Sequence, residues 1–158
     1  MDEREGTTRR HFLELAALAG AGVIVVGGTE AGATPPTGTV TRKPLAQGRL
    51  DDQITLSTQG PSDFHIQRVT VAPGADSGWH THPGVALDIL TAGTLSVYVE
   101  GTKCEPRRFE AGQAFFVPPG VTHMARNEGA DPAEVYITYL VAAGAVPRAD
   151  AAKPANCS

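Results

Sequence analysis

Two stretches of this chain carry histidines at spacings that constrain its fold more than any other feature. The first runs Gly74, five residues, His80-Thr81-His82, and later Gly93. The second runs Gly112, five residues, Pro118-Pro119-Gly120-Val121-Thr122-His123, then three residues and Asn127. In a strand every second side chain falls on the same face. His80 and His82 therefore project side by side if their segment is extended. His123, arriving on a neighbouring strand, completes one face of a metal site. Imidazole suits zinc, iron, copper and nickel. The alternative is three unconnected polar residues in a β-barrel.

The surroundings read as short strands between turns. "DQITLST", "FHIQRVTV", "VALDIL", "TLSVYV" and "AEVYITYLVA" are apolar and β-branched runs. "FFVPPG" ends a strand, "THMARN" starts another, and "NEGADP" is a loop. Pro73-Gly74 and Ala92-Gly93 mark turns. Gly93 and Gly120 stand where positive φ or close backbone approach is expected. No helical periodicity longer than about ten residues follows the amino-terminal segment. The pattern predicts an all-β sandwich or barrel.

The two motifs, in this order and with this gap, resemble those of the cupin superfamily. The resemblance covers roughly residues 50–143 and implies a double-stranded β-helix, a jelly-roll-like barrel. Gly74, His80, His82 and Gly93 fit the first motif; Gly112, Pro118, Gly120, His123 and Asn127 fit the second. One position departs. Ala86 stands where the family has a metal-binding Glu. The resemblance then implies a three-His site for one divalent metal (iron, manganese, zinc, copper or nickel). Asp88, two residues on, should face the same side and is a candidate fourth ligand; the other reading makes it a local polar substitution. Three-His cupin sites exist, including members that cleave thiols or diketones. Candidate substrate-pocket residues are Gln113, His65 and Arg126. His65 shares a strand face with Gln67, Val69 and Val71, and reads either as pocket lining or as a satisfied or surface histidine. Trp79 should point away from His80, as a packing residue or a substrate stacker.

Residues 1–33 read as an export signal. Thr8-Arg9-Arg10-His11-Phe12-Leu13 resembles the twin-arginine motif, with Glu14 in place of the usual Lys. Leu15 to Val26 is a mildly apolar run, too short to span a bilayer comfortably. Ala31-Gly32-Ala33 supplies an A-x-A cleavage site, so the mature chain is expected to begin near Thr34, in the periplasm or outside. The twin-arginine resemblance implies folding before export, with any metal chosen in the cytoplasm.

Removing residues 1–33 takes three Arg and five acids from totals of 13 basic and 17 acidic residues. The remaining 10 and 12 give about −2, with no basic stripe, which argues against a nucleic-acid partner. No long apolar run is left, so no membrane span is expected in the mature chain. About 125 residues suffice for one domain with a core.

Residues 34–49, rich in Thr, Pro and Gly, read as an extended arm or linker that can pair with a neighbouring subunit in a homodimer. Residues 144–158 read as a tail. The two cysteines, Cys104 and Cys157, suit one disulfide in an exported chain, with two free thiols as the alternative.

Three functions stand at this point. The first is a metal-dependent oxidoreductase, dioxygenase-like, on a small organic substrate. The second is a module that binds metal or a small ligand without turnover. The third is a metal-free barrel. Fold alone does not choose among them.

Overall fold

The structure, a computed structural model, describes residues 37–157. The twin-arginine motif, the cleavage site at Ala33 and the first residues of the arm lie outside the described residues. The chain divides into two units, Met1–Thr41 and Arg42–Ser158. All nine strands belong to the second, and the described residues form no helix.

The strands are β1 (Ser62–Val71), β2 (His80–Thr81), β3 (Val85–Ala92), β4 (Thr94–Val99), β5 (Arg107–Glu110), β6 (Ala114–Val117), β7 (His123–Arg126), β8 (Ala133–Ala142) and β9 (Ala149–Asp150). They form two antiparallel sheets, a four-stranded one ordered β1-β8-β3-β6 and a five-stranded one ordered β5-β4-β7-β2-β9. Their inner faces meet over Leu90, Leu95, Val97, Phe109, Phe115, Val117, Ala133 and Val135. Alternation puts these residues there: in β3, Ala86, Asp88 and Leu90 face inward, while Leu87 and Ile89 are only partly buried.

Gly93 turns β3 into β4 with φ +70°, and a Cβ there would lie 2.7 Å from the Pro132 carbonyl oxygen. No other residue type fits that turn without displacing backbone. The motif residue Asn127 is fully buried. Its amide donates to the carbonyls of Val71 (2.9 Å) and Asp131 (2.8 Å), and its oxygen accepts from Gly129 N (2.9 Å). It therefore locks the loop between β7 and β8.

Two expectations change. "DQITLST" is not a strand: residues 52–58 are mostly exposed and enter neither sheet, since β1 pairs only with β8 and β6 only with β3 along their lengths. The end of the arm pairs within its own chain. Arg49 N donates to Gly112 O (2.8 Å), and Ala114 N donates to Arg49 O (2.7 Å), covering the start of edge strand β6. On the outer face of edge strand β1, Phe64 and Ile66 are 70% and 68% exposed.

Candidate metal centre

His80 begins β2 and stands directly across from His123, the first residue of β7. His82 lies one residue beyond β2. The three rings face one another, with centroids 4.9 Å apart for His80 and His82, 4.2 Å for His80 and His123, and 4.9 Å for His82 and His123. One ligand nitrogen from each lies within 4.8 Å of the others, and all three residues are buried. The expected convergence of the three imidazoles is thus present in the geometry.

The backbone fixes which nitrogen faces the centre. His80 Nδ1 donates to Gly78 O (2.9 Å), His82 Nδ1 to Pro147 O (2.8 Å) and His123 Nδ1 to Val121 O (3.0 Å). A carbonyl only accepts, so each Nδ1 carries the proton. Each Nε2 then keeps a lone pair, which is how histidines are held as metal ligands. Burial lowers the His80 and His123 pKa values to about 4 and also lowers that of His82. Loss of solvation is the largest cause for each ring; neighbouring imidazoles add to it for His80 and His123, and the Arg148 cation adds to it for all three. The rings are neutral near pH 7 and fit a divalent transition metal.

The inner face of the four-stranded sheet closes the site. Ala86 pairs with Tyr139, whose ring centroid lies 5.1 Å from that of His82. The position that would carry the family's Glu therefore sits beside the cluster. Asp88 faces the same side one step further along β3, paired with Ile137, and is buried outside the three-histidine group. Burial raises its pKa to about 8. The Tyr139 hydroxyl is raised to about 12, by burial first and by Asp88 second.

The substrate-pocket candidates separate. His65 lies on the inner face of β1, paired with Tyr139, and its buried Nε2 has no hydrogen-bond partner among the described residues. Gln113 is not brought to the cluster: its Oε1 accepts from Glu110 N (2.8 Å) and closes the β5–β6 turn. Arg126 is three residues from His123 and so projects from the opposite face of β7. It lines an outer groove of about 380 Å³ with Trp79, Tyr98, Met124, Lys103 and Lys153. Trp79 faces away from His80, as expected. A larger cavity of about 460 Å³ runs from Ser57–Ser62 to Pro83, Gly84 and Pro119, and none of the three histidines lines it.

Cys104 and Cys157 form a disulfide, with Cα atoms 5.2 Å apart and a sequence separation of 53. The segment before Cys157 is more than a tether. Ala149–Asp150 adds β9 beside β2, and Pro147 supplies the His82 acceptor. No sequence signal marks that carbonyl.

The family model described as the cupin domain matches residues 67–139. Germin-like protein 5-1 of Oryza sativa subsp. japonica is 32% identical over 87 residues, which is 53% of this chain and 38% of that protein. Among solved structures, one of the DMSP lyases RdDddP and RnDddQII aligns with a TM-score of 0.50 at 20% identity, covering 56% of this chain and 44% of that one. A protein from Klebsiella pneumoniae subsp. pneumoniae with a double-stranded β-helix domain aligns with a TM-score of 0.49 at 20% identity, covering 61% and 90%. The chain thus spans less than half the length of the rice protein and of the lyase chain, and the likeness to the latter is one of fold. The two paired sheets give the chain a cupin-like fold, a double-stranded β-helix, and residues 67–139 match the cupin domain model.

Proposed function

We propose that this barrel binds one divalent transition metal through His80, His82 and His123, and that the loaded site is a metal-dependent oxidoreductase for a small organic molecule. One observation carries the reading: three buried, neutral imidazoles, each with Nδ1 held by a backbone carbonyl, leave three Nε2 lone pairs for one cation. The ion would supply Lewis acidity and a place to gather the substrate. Around it the chain supplies a largely apolar wall of Ala86 and Tyr139. Asp88 would hold its carboxyl proton at neutral pH and is the inner-face group able to give one up. His65, on the same sheet face, is the second candidate to meet substrate.

A non-catalytic binding module is the second reading. It is favoured by Ala86, which removes the carboxylate, and by the position of the 460 Å³ cavity, away from the rings. Oxygen uptake separates the two. The metal-loaded protein, offered a panel of thiols, diketones and phenolics, is expected to consume oxygen with at least one class. Metal binding with no uptake and no product across the panel leaves the binding module.

We further propose export by the twin-arginine route with cleavage near Ala33; a disulfide in the folded chain supports an oxidising destination. The exposed Phe64 and Ile66 support a homodimer through the outer face of β1.

A further inference from the structure

We propose that the disulfide-clamped C-terminal segment, residues 144–157, is a working part of the metal centre: it orients His82 and His80, and opening the Cys104–Cys157 bond loosens both. The inference deepens the three-histidine reading and rests on it for its meaning, though not for its first readout.

Three contacts tie this segment to the site. The Pro147 carbonyl accepts the His82 Nδ1 proton at 2.8 Å, across 65 residues of sequence. The Arg148 guanidinium donates to Ser77 O at 2.7 Å. It thereby holds the Ser77–Gly78 loop, whose Gly78 carbonyl accepts from His80 Nδ1. Arg148 is itself steadied by Asp150 at 2.5 Å. Finally, β9 pairs with β2, with Asp150 opposite His80 and Ala149 opposite Thr81, and Ala151 N donates to Trp79 O at 2.9 Å. The strand carrying His80 thus has β7 on one side and β9 on the other. Without β9 it would be a two-residue edge strand.

The segment has little packing of its own. Its strand is two residues long and exposed, and Val146 is 73% exposed. Ala145 packs against the Ala86, Tyr139 and Val141 cluster, and Pro154 and Cys157 are buried near its end. A span this thin frays unless it is tied down. The covalent closure at Cys157 keeps it in place by restricting the chain. His123 provides an internal contrast. Its acceptor is Val121 O, two residues away as Gly78 is from His80, but among the described residues no hydrogen bond from the segment reaches that loop. Release of the segment should therefore free His82 and His80 and leave His123 held.

The test compares the purified parent chain with Cys104→Ser/Cys157→Ser and with Arg148→Gln. The first readout is the ring tautomer of each histidine in the metal-free chain, by ¹⁵N NMR. The parent should show Nδ1–H at all three. In the serine pair His82 and His80 should lose that preference while His123 keeps it; in Arg148→Gln the change should centre on His80. The second readout is zinc affinity by competition with a chromogenic chelator. Loss of an outer hydrogen-bond partner typically weakens metal affinity by roughly 10–100-fold, the range expected for both variants. The proposal is overturned if His82 stays Nδ1–H in the serine pair and zinc affinity stays within about twofold of the parent. If the serine pair does not fold, Arg148→Gln decides: His80 staying Nδ1–H with zinc affinity within about twofold of the parent overturns the proposal. A parent that holds no zinc sinks the three-histidine reading, and the tautomers still judge the clasp.

Discussion

His80 and His123 are direct cross-strand partners in β2 and β7, and their rings stand 4.2 Å apart. The pairing makes the site a property of the sheet register. A shift of one residue would turn either ring out of the barrel. It also explains why residues far apart in sequence act together: one hydrogen-bonded pair of strands fixes both.

The buried ionisable groups give the metal-free protein a defined pH profile. Asp88 is raised from 3.8 to about 8, so the folded chain holds a proton that the unfolded chain loses. Stability should fall as pH rises through that window, by up to about 1.4 kcal/mol per pH unit. His80 and His123 are lowered from 6.5 to about 4, so the unfolded chain takes up protons first as pH falls. Stability should drop again between those values. Denaturant titrations from acid to alkaline pH should show a maximum near pH 6.5, and Asp88→Asn should remove the alkaline decline. An alkaline slope unchanged in that variant would contradict the assignment.

Ala86→Glu restores a carboxylate beside the imidazoles. Ala86 is fully buried, so the larger side chain should destabilise the metal-free protein by about 1–3 kcal/mol. Added metal should recover that loss and bind more tightly than in the parent, because the carboxylate then has a cation to meet. Thermal melts with and without metal check this. An equal loss in both conditions would mean that position 86 does not reach the ion.

Asn127 tests the motif as architecture. Replacing it with Ala leaves the Val71 and Asp131 carbonyls and Gly129 N without their partner. The cost should be about 2–4 kcal/mol in chemical unfolding. Metal stoichiometry in the folded fraction should be retained, since Asn127 is not in the histidine cluster.

For export, replacing Arg9 and Arg10 together by Lys should leave an uncleaved precursor in the cytoplasm. Amino-terminal sequencing of the exported parent should begin at or near Thr34. Normal secretion of the Lys-Lys variant would refute the route.

The histidine trio and the barrel were legible because both rest on local rules. Alternation sets strand faces, and the two motifs set the distance between strands. Gly93 and Gly120 were legible for a related reason: both adopt the expected positive φ. The inner-face placement of Asp88 follows from its parity with Ala86. Arg126 could have been read the same way, since three residues from His123 is an odd step along a strand. Gln113 carried no such sign, because its amide serves a turn. The Pro147 carbonyl and β9 were not legible at all. A backbone acceptor has no side-chain signature, and a two-residue strand has no period. The "DQITLST" run shows the converse, an apolar pattern that enters neither sheet.

The central claim is tested most directly by metal content. The parent and the His80→Ala, His82→Ala and His123→Ala variants should be folded in the cytoplasm, dialysed against metal-free buffer and measured by elemental analysis. The account predicts about one transition-metal ion per parent chain and near zero in each variant, with the fold intact by circular dichroism. A parent that retains no metal even after saturation with iron, manganese, zinc, copper and nickel, or a His123→Ala chain that holds as much as the parent, would contradict it.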